Sequence, residues 1–101
     1  MMEITSSHTG VVRTYYNNEE TELWEEYFQL NDKRNGIYKS FHYNGNLKSE
    51  VNYIDNKMNG IFKSYYYNGI LESEINYING RKNGICKLYH LNGTLESKVN
   101  Y

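Results

Sequence analysis

The side chains with chemistry to offer in this 101-residue sequence are three histidines, one cysteine, a recurring glutamate and scattered basic residues. A metal ion needs its donors converging at about 2 Å. His42 and His90 hold equivalent places two repeat units apart, which at ~4.8 Å per strand and two strands per unit separates them by roughly 20 Å. His8 lies in the N-terminal stretch with no partner near it in sequence. No metal site is expected. Cys86 has His90 four residues on, but in an extended strand that gap spans roughly 13 Å. Cys86 also takes the place held by Tyr38 and Phe62 in other units, so it reads as a small core filler. A single cysteine supports neither a disulfide framework nor a cysteine zinc site.

Glu26, Glu50 and Glu74 recur, each aligned with a base: Arg13, Lys39 and Lys63. General acid–base catalysis wants two carboxyls whose pKa values are pushed apart in a pocket, and a row of ion pairs offers the opposite. The glycines follow no phosphate-cradling pattern. The expectation is a chain that is not an enzyme and holds no cofactor. Lys33, Arg34, Lys57, Arg81 and Lys82 fall in successive loops and line up as a basic ridge, suited to phosphoinositide headgroups. Five charges over three loops also serve simply to solvate them, and a net charge of −1 argues against nucleic acid.

These residues sit in strands. There is no alanine and no proline, against 12 tyrosines and 15 asparagines, which is strand-and-turn composition rather than helical. No apolar run is long enough to span a membrane and no secretory leader is visible, so an intracellular location is expected. The chain repeats: Gly36, Gly60 and Gly84 are 24 residues apart, each opening a unit with an apolar pair and a basic residue. Residues 1–9 read as a flexible tail, followed by units 10–35 (degenerate and acidic), 36–59, 60–83 and 84–101.

Asn44-Gly45, Asn68-Gly69 and Asn92-Gly93 each divide two strand-like runs. Asn-Gly suits a two-residue type I′ turn, which sets His42 opposite Leu47, Phe41 opposite Lys48, Ser40 opposite Ser49, Lys39 opposite Glu50 and Tyr38 opposite Val51. The same count joins Lys63 to Glu74 and Arg13 to Glu26, and leaves Lys87 facing Lys98. A one-residue slip would undo every pair. One face then gathers Tyr38, Phe62 and Cys86 with Val51, Ile75 and Val99, flanked by Leu47, Leu71, Leu95, Tyr53, Tyr77 and Tyr101, with Ser49, Ser73 and Ser97 between. This is the expected core. The other face carries the charged pairs and an aromatic file: Phe41, Tyr43, Tyr65, Tyr67 and Tyr89.

The unit containing Gly60, Phe62, Lys63, Tyr65, Tyr66, Asn68-Gly69, Leu71, Glu74 and Tyr77 resembles the shorter variant of the MORN repeat. Its neighbours match at Gly36, Lys39, Phe41, Asn44-Gly45, Leu47, Glu50 and Tyr53, and at Gly84, Lys87, Tyr89, Asn92-Gly93, Leu95 and Tyr101. The resemblance implies an all-β, elongated single-sheet solenoid of about four stacked β-hairpins. It implies scaffolding and protein interaction, with phospholipid contact proposed for some members. Similar bacterial chains carry an antitoxin label, and such repeats are numerous in giant DNA viruses of amoebae.

Residues 1–30 hold six acids and one base, net −5, and the remainder six acids and ten bases, net +4. An acidic terminal unit fits a polar cap on a repeat stack. The last strand ends in an edge near Lys98–Tyr101, a place for self-association into a homo-oligomer, with Lys98 as a guard against pairing. The function expected is interaction with an unidentified protein through Phe41, Tyr43, Tyr65, Tyr67 and Tyr89. The alternatives are membrane-surface binding through the basic ridge, or inhibition of a single protein in the manner of an antitoxin.

Overall fold

Short runs of alternating tyrosine, aliphatic and polar residues, broken by asparagine-rich turns, fold as strands throughout. In a computed structural model, which describes residues 8–101, these are β1 (Gly10–Tyr15), β2 (Leu23–Leu30), β3 (Lys33–Phe41), β4 (Leu47–Ile54), β5 (Lys57–Met58), β6 (Gly60–Tyr65), β7 (Leu71–Ile78), β8 (Arg81–Lys82), β9 (Ile85–Tyr89) and β10 (Leu95–Asn100). All join one antiparallel sheet in the order β1-β2-β3-β4-β6-β7-β9-β10, with β5 paired to β4 and β8 to β7. The radius of gyration is 16.1 Å, against about 13 Å for a compact chain of this length. The sheet is elongated, as the repeat pattern predicts. Of the expected tail, residues 1–7 lie outside the described residues. His8 is not partnerless: its N–H donates to Asp32 Oδ1 at 2.7 Å, and its ring meets Gln29 Nε2 at 2.8 Å.

The hairpin register is as expected in the middle of each strand: Lys39 faces Glu50, Tyr38 faces Val51, Ser40 faces Ser49 and Phe62 faces Ile75. The turns correct the sequence reading. Gly45 N–H donates to His42 O and His42 N–H to Asn46 O, so the loop has three residues, with Gly45 at φ 90° and Asn44 not in the left-handed region. This is the turn followed by a glycine bulge that three-residue hairpin loops favour. It pairs Phe41 with Leu47, and Lys48 then bulges out before Ser40 meets Ser49. The expected pairs His42–Leu47 and Phe41–Lys48 are therefore absent. The bulge restores the register that the turn had shifted, which is why a wrong turn type still predicts the right central pairs. The same slip recurs at Glu72, at Glu96 and, in the first unit, at Trp24.

True two-residue type I′ turns lie between units instead. Asn31-Asp32, Asp55-Asn56 and Asn79-Gly80 have both central φ positive, between 48° and 78°. Each stacks on its predecessor: Asp32 N–H donates to His8 O, Asn56 N–H to Arg34 O and Gly80 N–H to Met58 O.

The core lies along one face, where Val51 (1% exposed), Tyr53, Cys86, Ser40, Ser49 and Ser73 are buried. The serines satisfy one another, Ser40 Oγ with Ser49 Oγ and Ser64 Oγ with Ser73 Oγ, as buried hydroxyls must. Small side chains here leave room for the neighbouring tyrosine rings, with Tyr27 and Tyr38 stacked at 5.6 Å and Tyr38 and Tyr53 edge-on at 5.9 Å. Leu95, Val99 and Tyr101, expected in this core, are 46–55% exposed because only one neighbouring hairpin covers them.

Candidate interaction surface

The opposite face is built of three parallel rows that cross the strands. Its central row is a continuous chain of register partners, Arg13, Glu26, Lys39, Glu50, Lys63, Glu74, Lys87 and Lys98, one from each strand of the main path. Signs alternate along it until the final Lys87–Lys98 step. Sequence pairing finds only the contacts within a hairpin. Stacking of hairpins places each interior glutamate between two bases. Arg13 Nε meets Glu26 Oε2 at 2.7 Å and Lys39 Nζ lies 4.0 Å from Glu50 Oε2. The Glu26 hydrogen bond and charge raise the Arg13 pKa above its ordinary value. Exposed pairs of this kind contribute little singly; their use is in setting register and presenting an ordered charge pattern.

On the hairpin-turn side runs the aromatic file. Tyr43 and Tyr67 are 66% and 60% exposed, with Leu91 in the equivalent third place at 58%. Phe41, Tyr65 and Tyr89 are half-buried, and Tyr89 donates its hydroxyl to Glu74 Oε1 at 3.1 Å. The predicted contact residues thus divide into an exposed set at the hairpin turns, where the Tyr43 ring meets Tyr16 at 5.4 Å and the Tyr67 ring meets His42 at 5.7 Å, and a half-buried set beside the charged row. Burial and the Glu74 bond raise the Tyr89 pKa.

The third row lies on the other flank and was not singled out from sequence: Val11, Ile37, Ile61 and Ile85, each 49–54% exposed. Their partners across the hairpins are Phe28, Asn52, Asn76 and Asn100. A 24-residue recurrence of isoleucine just after the repeat glycine is the signal that was available. Between Ile61 and Ile85 a depression of about 500 Å³ is floored by Asn76 and walled by Glu74, Lys87 and Gly84. A smaller one of about 330 Å³ borders Ile37, Lys39, Glu26 and Glu50.

Other candidates have structural partners. His42 Nε2 lies 2.7 Å from Tyr65 O of the next unit; Tyr16 and Tyr66, at the same repeat position, donate to Phe41 O and Tyr89 O at 2.6 Å. Asn44 and Asn46 both donate to Tyr67 O at 3.1 Å. These bonds latch one hairpin to the following one. In the basic ridge, the Arg34 guanidinium lies 4.5, 4.9 and 5.4 Å from the ring centres of Tyr27, Tyr38 and Tyr53, and Lys82 Nζ lies 5.3 Å from that of Tyr101. Lys33, Lys57 and Arg81 are exposed along the type I′ turns. Cys86 is buried, and among the described residues no three His, Cys, Asp or Glu side chains are grouped as a metal site requires. No helix of the described residues is long and apolar enough to cross a membrane.

Comparison with known proteins agrees with this geometry. A family profile described as MORN repeat variant matches residues 34–55, 58–79 and 82–101. Each match begins two residues after the type I′ turn that joins one hairpin to the next. The first hairpin lies outside the match but shares the bulge, at Trp24, and the latch, at Tyr16. No curated protein and no solved structure matches the chain. With three successive repeats matched over most of its length and a fourth hairpin of the same build, the chain belongs to the MORN repeat variant family.

Proposed function

We propose that this chain is a non-enzymatic protein-interaction module whose working surface is the three-rowed face. The observation that carries the reading is the exposure of that face. Tyr43, Tyr67 and Leu91 on one flank and Val11, Ile37, Ile61 and Ile85 on the other are 49–66% exposed, and among the described residues no second layer covers them. Rows of exposed apolar side chains rimmed by polar residues mark interaction sites, and tyrosine supplies large, rigid contact area with a polar tip. The ordered charges between the flanks give such a contact its orientation. The lipid-headgroup reading has less to draw on, because two of its five cations, Arg34 and Lys82, face tyrosine rings.

The test is capture from native lysate followed by mass spectrometry, comparing wild type with Tyr43→Ser/Tyr67→Ser shown by circular dichroism to be folded. A protein held by wild type and lost by the variant supports the reading. Equal capture by both, lost instead on replacing Lys33, Lys57 and Arg81, refutes it in favour of the turn edge.

A further inference from the structure

We infer that a second copy of this chain covers the charged and isoleucine rows, packed face to face about a two-fold axis parallel to the strands between β4 and β6. The inference rests on the reading of this face as a contact surface and names the partner.

The charged row carries the argument. A two-fold axis parallel to the strands reverses the order of the row in the partner. Centred between Glu50 and Lys63, which are register neighbours, it sets Glu50 over the partner's Lys63, Lys39 over the partner's Glu74 and Glu26 over the partner's Lys87. Symmetry repeats each pair, so six positions of the row meet opposite charge; like charge meets only at its two ends, Arg13 over Lys98. An axis running along the row instead lays like over like at every position, so the charges select the direction of the axis, and centring it between β4 and β6 overlaps all eight strands of the row. An alternating row is self-complementary under the first operation alone, as an isologous interface requires.

The isoleucines obey the same operation. It keeps their height along the strands and brings the partner's Ile37 over Asn76, the partner's Ile61 over Asn52 and the partner's Ile85 over Phe28. Isoleucines of the two copies therefore alternate along one line without colliding. The position taken by the partner's Ile37 is the depression floored by Asn76 between Ile61 and Ile85. The position taken by the partner's Ile61 adjoins the depression beside Ile37. Eight strands at ~4.8 Å, with about five residues of each at ~3.4 Å, offer roughly 650 Å² per copy. That is roughly 1,300 Å² in total, within the range of stable interfaces.

The experiment is light scattering coupled to gel filtration over a range of concentrations, on wild type, Ile61→Lys, Lys39→Glu and Lys39→Glu/Glu74→Lys, each checked for fold by circular dichroism. Wild type is expected at twice the 12.0 kDa chain mass, with Ile61→Lys at the single mass. Lys39→Glu weakens dimerisation about tenfold or more, and adding Glu74→Lys returns it to within about threefold of wild type. The double variant crowds like charges within each chain, so recovery there reports the interface and not the stability of the monomer. A single mass for wild type at every concentration overturns the inference, as does a dimer that survives Ile61→Lys, which would be edge-paired. A double variant no better than Lys39→Glu overturns the two-fold register. Capture from lysate lost in Tyr43→Ser/Tyr67→Ser, together with a monomeric wild type, would leave the interaction module standing and remove only the second copy.

Discussion

Replacing Tyr66 by phenylalanine deletes one hydroxyl and isolates the coupling between hairpins. Tyr66 Oη donates to Tyr89 O at 2.6 Å across the boundary between units, from a half-buried position. A hydrogen bond of this sort contributes about 0.5–1.5 kcal/mol net, and the carbonyl left behind loses its partner. For a domain of this size 1 kcal/mol corresponds to roughly 4–8 °C in Tm. Tyr67→Phe, one residue on and 60% exposed, removes the same atom from solvent and is expected to stay within about 0.5 kcal/mol of wild type. Urea titration by circular dichroism at low protein concentration measures both. The latch also supplies part of the nearest-neighbour energy that makes a repeat stack unfold as one unit, so the Tyr66→Phe transition should broaden. If Tyr66→Phe and Tyr67→Phe are indistinguishable in midpoint and slope, the latch does not couple the hairpins and the reasoning fails.

Gly45→Ala tests the corrected turn: a Cβ there meets no atom within 4 Å, so its cost comes from the φ of 90° and should be about 1–2 kcal/mol in urea titration. Arg34→Met installs the residue that the next unit carries at Met58 and should cost under about 1 kcal/mol, whereas Arg34→Glu sets a carboxylate against three ring faces and should cost about 2 kcal/mol or more. Burial first, then the 2.6 Å hydrogen bond to Glu25, raises the Tyr38 pKa. The fold thus favours the neutral phenol, and stability should hold to about pH 9 and fall above about pH 10 as the unfolded tyrosine ionises. Denaturation midpoints at both pH values check this, and Tyr38→Phe should flatten part of the decline.

Much of the fold is legible in the sequence because its two periodicities reinforce each other. Alternation within strands places Val51 and Tyr53 on one face, and the 24-residue recurrence repeats that placement, so a register that pairs Lys39 with Glu50 also pairs Lys63 with Glu74. Turn geometry is less legible. Seven of the eight glycines follow an asparagine, and the dipeptide alone does not distinguish a type I′ turn from a three-residue loop closed by a glycine bulge. The extra residue, Trp24, Lys48, Glu72 or Glu96, has no common side-chain chemistry because only the backbone needs it. The working surface is least legible. Ile37, Ile61 and Ile85 resemble core residues by type, and only the parity fixed by Lys39, Lys63 and Lys87 sends them to the uncovered face. Arg34 reads as a surface cation until three tyrosine rings from separate strands are seen around it.

Lysine acylation footprinting in native lysate, with the isolated protein at low concentration as reference, reaches the central claim whatever the partner's identity. Lys39, Lys63 and Lys87 lie in the central row of the proposed contact face, whereas Lys33 and Lys57 directly follow the type I′ turns. Slower modification of Lys39, Lys63 and Lys87 in lysate, with Lys33 and Lys57 unchanged, is the result predicted here. Protection of Lys33 and Lys57 with the central row unchanged would contradict it and move the working surface to the turn edge.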